Sequence, residues 1–171
     1  MSAQFAGIPN STVWGVDLNA TELKQAARVF NENKNLYFIY GDIFEETFPL
    51  ESFDAIILAS SIQYFEDVNR LINRLLALLK SNGKIHIIDS PFYDSHSIPG
   101  AKLRTKDYYQ GKGFPEMTDH YYHHTMYDLN TFQPQILYNP DKFSNRLRQK
   151  LFREHRSPFP WIMISKGAEC D

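Results

Sequence analysis

Four short apolar runs punctuate the first ninety residues: Val13 to Val16, Leu36 to Tyr40, Ala55 to Ala59, and Lys84 to Ile88. Most lack alternation of polar and apolar side chains, the near-continuous hydrophobicity of strands covered on both faces by helices. Each run predicts a strand, and together they predict a parallel sheet. Between the first two, Leu23, Ala26, Ala27 and Phe30 recur at helical spacing, and Asn19 with Glu22 three residues later can cap the free amides of a first turn. Between the third and fourth, Val68, Leu71, Ile72, Leu75, Leu78 and Leu79 make a wider apolar stripe. Asn82-Gly83, able to take positive φ, lies just past its end. The alternation of strand and helix predicts right-handed crossovers and an α/β layered fold.

After Asp89 the pattern loosens. Pro91, Pro99, Gly100, Gly111, Gly113 and Pro115 break a segment that predicts one helix, from about Ala101 to Gln110. Thr125 and Asp128 can cap a further turn before Phe132. A strand at Gln135 to Tyr138 precedes Asn139-Pro140, which opens a helix carrying Phe143, Leu147 and Leu151, and Trp161 to Ser165 closes the chain as a strand. These last two strands are compatible with a C-terminal edge pair. Residues 1–171 read as a single domain, with 91–131 as a lid or substrate-side insertion.

Composition narrows the function classes. Lys and Arg total 18 against 20 Asp and Glu, a formal charge of -2 that gives no long-range field for gathering phosphate backbones. The sole cysteine, Cys170, builds neither a disulfide nor a cysteine-based zinc site. No apolar run approaches the roughly 20 residues of a membrane helix, and the N-terminus lacks the order of a secretion signal. The expectation is a soluble, cytoplasmic protein with neither nucleic acid nor membrane as partner; a homodimer is among the assemblies allowed. Aromatic residues make up 15% of the chain and crowd its second half, at Tyr108, Tyr109, Phe114, Tyr121, Tyr122, Tyr127 and Phe132.

Ligands of open parallel sheets bind outside the carboxyl ends of the strands, which directs attention to the residues after each run. The first run ends in Asp17-Leu18; a carboxylate there can accept hydrogen bonds from both hydroxyls of a ribose, or merely cap the next helix. The second ends in Gly41-Asp42-Ile43, where the acid can accept from an adenine amino group and the apolar neighbour can pack on the ring; a strand-terminating turn explains the pair equally well. The third ends in Ser60-Ser61-Ile62-Gln63-Tyr64, followed by Glu66 and Asp67, which read as caps of the next helix.

In order and spacing, Phe53 to Asp67 followed by Leu75 to Asp89, with Val16-Asp17 and Gly41-Asp42 ahead of them, resembles class I S-adenosylmethionine-dependent methyltransferases. The resemblance covers residues 3 to 90 and implies a doubly wound, mostly parallel, Rossmann-like sheet and S-adenosylmethionine as cofactor. It assigns the ribose to Asp17 with Leu18 beside it, the adenine to Asp42 and Ile43, and the methionine end to Ser60 and Ser61. Gln63 and Tyr64, with Tyr121 and Tyr122, would shape the acceptor pocket. Family members also carry a first, central strand and a glycine-rich loop, which this sequence lacks; its first residues resemble the helix that follows that loop. The implied activity is methyl transfer to a small acceptor. One rival is a truncated or degenerate domain serving as a binding module, and another is a nicotinamide-dependent oxidoreductase.

Methyl transfer needs a base only when the acceptor is protonated at the working pH. The run Asp119-His120-Tyr121-Tyr122-His123-His124 offers His123 and His124 as candidates. Three histidines so close could also suggest a metal site, but the interleaved tyrosines favour an aromatic lid, and no metal is expected. His86 reads as a satisfied interior residue. The basic series Lys142, Arg146, Arg148, Lys150, Arg153 and Arg156 reads as a solvated face.

Overall fold

The computed structural model describes residues 1–142 and 157–167. The helix expected after Asn139-Pro140, and all but the first of the late basic series, lie outside the described residues. The chain divides into two compact units, Met1–Phe48 and Pro49–Asp171.

The first unit holds α1 (Ser2–Ala6), β1 (Val13–Asp17), α2 (Ala20–Val29) and β2 (Leu36–Tyr40). β1 and β2 pair in parallel, from Val13 opposite Leu36 to Asp17 opposite Tyr40. The cap read from Asn19 is present: its Oδ1 accepts from the amides of Thr21 and Glu22, both at 3.2 Å. Asn35 ties the start of β1 to α1, its Nδ2 donating to the carbonyls of Ala6 (2.8 Å) and Ser11 (2.9 Å). Apolar burial is slight, for neither helix has a buried residue and Leu36 is the unit's sole buried apolar side chain.

The second unit contains β3 (Phe53–Ala59), α3 (Val68–Leu78), β4 (Leu79–Ile88), α4 (Ile98–Lys112), β5 (Gln135–Tyr138) and β6 (Trp161–Ser165), with short 3₁₀ segments at Ile62–Tyr64, Pro115–His120 and Met126–Phe132. Its strands run in the order β3-β4-β6-β5. β3 and β4 are parallel, whereas β6 runs antiparallel to both β4 and β5, so the edge pair read from the sequence closes a mixed sheet. The stripe on α3 buries Val68, Leu71, Ile72, Leu75 and Leu78, in a core shared with Leu58, Ile85, Ile87, Ile162 and Ile164. Each such side chain contributes about 1.5–3 kcal/mol relative to exposure. Asp67 caps α3 through the Arg70 amide (2.8 Å), and Thr125 with Asp128 forms the reciprocal capping box expected before Phe132.

One boundary departs from the sequence reading. α3 stops at Leu78, and Leu79 is already extended (φ -76°, ψ 144°), so β4 begins without an intervening turn. Asn82-Gly83 therefore lies inside β4 and takes no positive φ. Gly83 serves close approach instead: a Cβ there would stand 2.9 Å from the Leu79 Cβ and 3.0 Å from the Lys80 carbonyl oxygen. The register between β3 and β4 shifts at the same place, between Phe53 opposite Leu79 and Ala55 opposite Lys84. Among the described residues no helix is long and apolar enough to cross a membrane.

Candidate functional site

In the first unit the two expected carboxylates stand at the tips of adjacent strands, joined by a hydrogen bond from the Gly41 amide to the Asp17 carbonyl (3.1 Å). Each engages one oxygen in its own turn. Asp17 Oδ1 accepts from the Asn19 amide (2.8 Å), and Asp42 Oδ1 from the Phe44 amide (2.9 Å). Asp17 and Leu18 are exposed, Asp42 and Ile43 half-buried. The structure shows the turn role of both acids, and each carboxylate keeps lone pairs for a second donor.

In the second unit the tips of β3 and β4 carry left-handed backbone at residues other than glycine, Ser60 (φ 52°) and Asp89 (φ 50°). Such conformations are uncommon outside glycine and concentrate at functional sites. The two are coupled, since Ser60 Oγ donates to the Asp89 carbonyl (2.9 Å) and the Ser60 amide to that of Ile88 (3.1 Å). Ser61 follows directly and caps the 3₁₀ segment without using its hydroxyl. Gln63 is buried, and its Nε2 donates to the Ser60 carbonyl (2.7 Å) while its Oε1 has no hydrogen-bond partner. A buried acceptor left unpaired costs about 1–3 kcal/mol, so a donor arriving on a ligand would be favoured there.

Beyond these tips lies a cavity of about 560 Å³, walled by Tyr64, Tyr93, Tyr108, Tyr109 and Tyr121, with Ala101, Arg104 and Thr105 along one side. Tyr64 comes from the loop after β3 and Tyr93 from the loop after β4. The rings brace one another: Tyr121 stands edge-on to Tyr64 (centroids 5.8 Å, 87°) and 6.1 Å from Tyr109, and the Tyr64 and Tyr109 hydroxyls are 3.4 Å apart. Burial, and for Tyr109 also the Tyr64 hydroxyl, raises the phenol pKa of Tyr109 and Tyr121 well above the ordinary range. Both remain protonated donors.

The two candidate bases differ. His124 is buried, with its Nε2 2.9 Å from the Phe65 carbonyl and its ring stacked on Tyr122, so it fixes the loop after β3. His123 lies behind the cavity wall, 5.1 Å from the ring centroids of both Tyr93 and Tyr121. Its Nε2 is 2.9 Å from Thr105 Oγ1, and Thr105 faces the cavity. Burial lowers the pKa of both imidazoles; Lys102 and Arg104 push His123 further down, whereas the Ala101 carbonyl opposes. Both rings are therefore neutral at neutral pH. His86 accepts a hydrogen bond at Nδ1 from Trp161 Nε1 (3.0 Å).

Of the four substrate-side residues read from the sequence, Tyr64 and Tyr121 line the cavity. Tyr122 does not; its amide donates to the Gln63 carbonyl (2.7 Å), and the pair supports the wall from behind. Sequence reasoning missed Tyr93, Ala101, Arg104, Thr105, Tyr108 and Tyr109 as wall residues. Their signal was available in part, because Ala101, Arg104, Thr105, Tyr108 and Tyr109 fall at helical spacing on one face of α4.

In the second unit, the left-handed turn after β3 and the open, tyrosine-walled cavity beyond it lie where ligands of α/β sheets bind. The sequence matches the family described as "Methyltransferase domain" over residues 1–87, and the chain belongs to this family of class I S-adenosylmethionine-dependent methyltransferases. It is 32% identical over 77 residues, 45% of its length, to malonyl-[acyl-carrier protein] O-methyltransferase 1 of Ilyobacter polytropus, and spans 28% of that relative. The fold is similar to the YcgJ protein of Bacillus subtilis (TM-score 0.60, 15% identity, 91% of this chain and 80% of that one). It is similar also to the S-adenosylmethionine-dependent methyltransferase SibL (TM-score 0.57, 14% identity, 93% of this chain and 44% of that one).

Proposed function

We propose that the chain serves S-adenosylmethionine-dependent methyl transfer to a small acceptor held in the tyrosine-walled cavity. That cavity, built on the loops after β3 and β4 where ligands of α/β sheets bind, is the observation that carries the reading. The residues present fit the cofactor. Asp17, with Leu18 beside it, suits the ribose hydroxyls, and Asp42 with Ile43 suits the adenine. The orphaned Gln63 Oε1, beside Ser60 and Ser61, suits an ammonium donor such as the methionine end carries. When bound, the cofactor supplies a methyl group on a sulfonium, already a strong electrophile.

The protein's share is then positioning and proton management. The braced tyrosines hold the acceptor and exclude water, with segment 91–131 forming that side of the site and residues 1–171 acting as one catalytic domain. For a protonated acceptor, Thr105 passes the proton to neutral His123, whose Nε2 it already meets at 2.9 Å. His124 has no such path.

Calorimetric titration with S-adenosylhomocysteine tests the cofactor half of this reading. Saturable binding is expected, weakened about tenfold by Asp17→Asn, since a hydrogen bond to a charged group is worth about 1.5–3 kcal/mol. Absence of binding, or binding indifferent to both Asp17→Asn and Asp42→Asn, overturns it.

A further inference from the structure

The charge of the cavity wall says more about its occupant than its shape does. Five of its eight lining residues are tyrosines, which suits a flat apolar body, and about 560 Å³ falls within the roughly 300–1,000 Å³ of small-molecule sites. A tyrosine cage can also hold a quaternary ammonium, so the formal charges decide. No carboxylate lines the cavity, and its one charged residue is Arg104.

Arg104 is also uncommitted. Among the described residues it makes no ion pair; Asp107, the acid one turn further along α4, does not engage it. Its guanidinium lies against the first turn of the helix, with one nitrogen 3.4 Å from the position a Cβ would take on Gly100. Lys102 and Lys112 add positive charge on the same helix, Lys112 lying 5.8 Å from the Tyr108 ring centroid. The Tyr109 and Tyr121 hydroxyls, held in the protonated form, offer donors and no negative charge. A cation would meet repulsion here, whereas an anion gains a planar, five-donor partner.

We infer that the acceptor belongs to the aromatic carboxylates, its ring enclosed by Tyr64, Tyr109 and Tyr121 and its carboxylate paired with Arg104. The inference rests on reading the cavity as the acceptor site. It concerns recognition and leaves open which atom receives the methyl group.

The test uses the full chain and three probes, 2-naphthoate, its neutral isostere 2-naphthamide, and tetramethylammonium, titrated at low ionic strength by saturation-transfer NMR or calorimetry. Naphthoate is expected to bind about tenfold tighter than naphthamide, the size of one partly exposed charge-assisted pair. Added salt narrows the ratio. Arg104→Gln, at an exposed position, should bring the ratio to about one with an unchanged melting temperature, and Arg104→Lys should restore part of it. A ratio near one in the unaltered protein overturns the inference. So does a ratio that survives Arg104→Gln, tighter binding of tetramethylammonium, or no binding of either naphthalene. These titrations contain no cofactor, so their failure is separate from failure of the S-adenosylhomocysteine titration, which reads the methyl-transfer proposal alone.

Discussion

Residues 1–48 and residues 49–167 use the same vocabulary of parallel strands and an amphipathic helix, yet they bury very different amounts of it. In the second unit α3 places five apolar side chains in the core; in the first, α2 buries none, and Val29, Leu18 and Tyr40 are each 63% exposed. Hydrophobic burial offsets a backbone entropy cost of about 1–2 kcal/mol per ordered residue, and one buried leucine cannot offset ten residues of helix. Two strands and two short helices that share one buried apolar side chain make a small core, and small cores are marginal. The lesson is that a strand-helix-strand pattern in sequence fixes local structure in both places, whereas the depth of its packing depends on how many further layers it meets.

The largest effect that would break this comparison is a truncation in each helix. Leu75→Ala removes a side chain 1% exposed in the core and should cost about 2–5 kcal/mol. Leu23→Ala, on the half-buried face of α2, should cost under about 1 kcal/mol. Amide hydrogen exchange resolved along the chain checks both, and should show β1 and β2 exchanging faster than β3 and β4 before any substitution. Equal costs, or equal protection of the two strand pairs, would mean that the first unit is as well supported as the second.

Local structure was legible because its signals are local. The apolar runs place all six strands of the described residues, Asn19, Asp67 and Thr125 cap where their side-chain chemistry predicts, and the α/β class follows from the alternation. The end of α3 was not legible: Asn82-Gly83 looks like a helix stop, but the pull of β3 on Leu79 ends the helix sooner. At the site, Tyr64 could be nominated through the family resemblance and Tyr121 through the aromatic crowding of the second half. Tyr93, a single ring in the loop after β4, could not, and Arg104 was legible only in part, through the face of α4 it shares with Tyr108. Nor does any pattern of residue types announce the left-handed backbone of Ser60 and Asp89, which the geometry of the strand tips imposes.

A pair of glycines sharpens the comparison at intermediate cost. A Cβ on Gly83 would press on the fully buried Leu79 and on a main-chain carbonyl, neither of which can give way, so Gly83→Ala should cost about 1–3 kcal/mol. A Cβ on Gly15, in β1, would press on the Phe38 ring at 3.1 Å and otherwise reach Ser2 Oγ at an ordinary 3.8 Å. That ring is half-buried and can shift, so Gly15→Ala should cost under about 1 kcal/mol. Denaturant midpoints with unchanged slopes would report both values. A more costly Gly15→Ala would show that Phe38 is held as firmly as the core of the second unit.

The smallest effect is set by pH, and it separates the units because the first contains no histidine. His86, His123 and His124 all have their pKa lowered, chiefly by burial, with Asp128 and the Phe65 carbonyl partly opposing at His124. In the unfolded chain these rings return to about 6.5, so below that pH the unfolded state binds more protons than the native one. Their contribution is therefore complete above about pH 7 and is lost as the pH falls through the lowered native values. Melting temperatures taken from pH 8 down to pH 5 should be flat, then decline. His124→Gln should flatten the decline most, His123→Gln less, and a change at exposed His120 should leave it intact. Hydrogen exchange should place the acid-induced loosening in β3, β4 and the loop at Phe65 before β1 and β2 respond. If the decline survives His124→Gln undiminished, or begins in the first unit, then carboxylates rather than buried imidazoles govern the acid limit, and the second unit is not the pH-sensitive half.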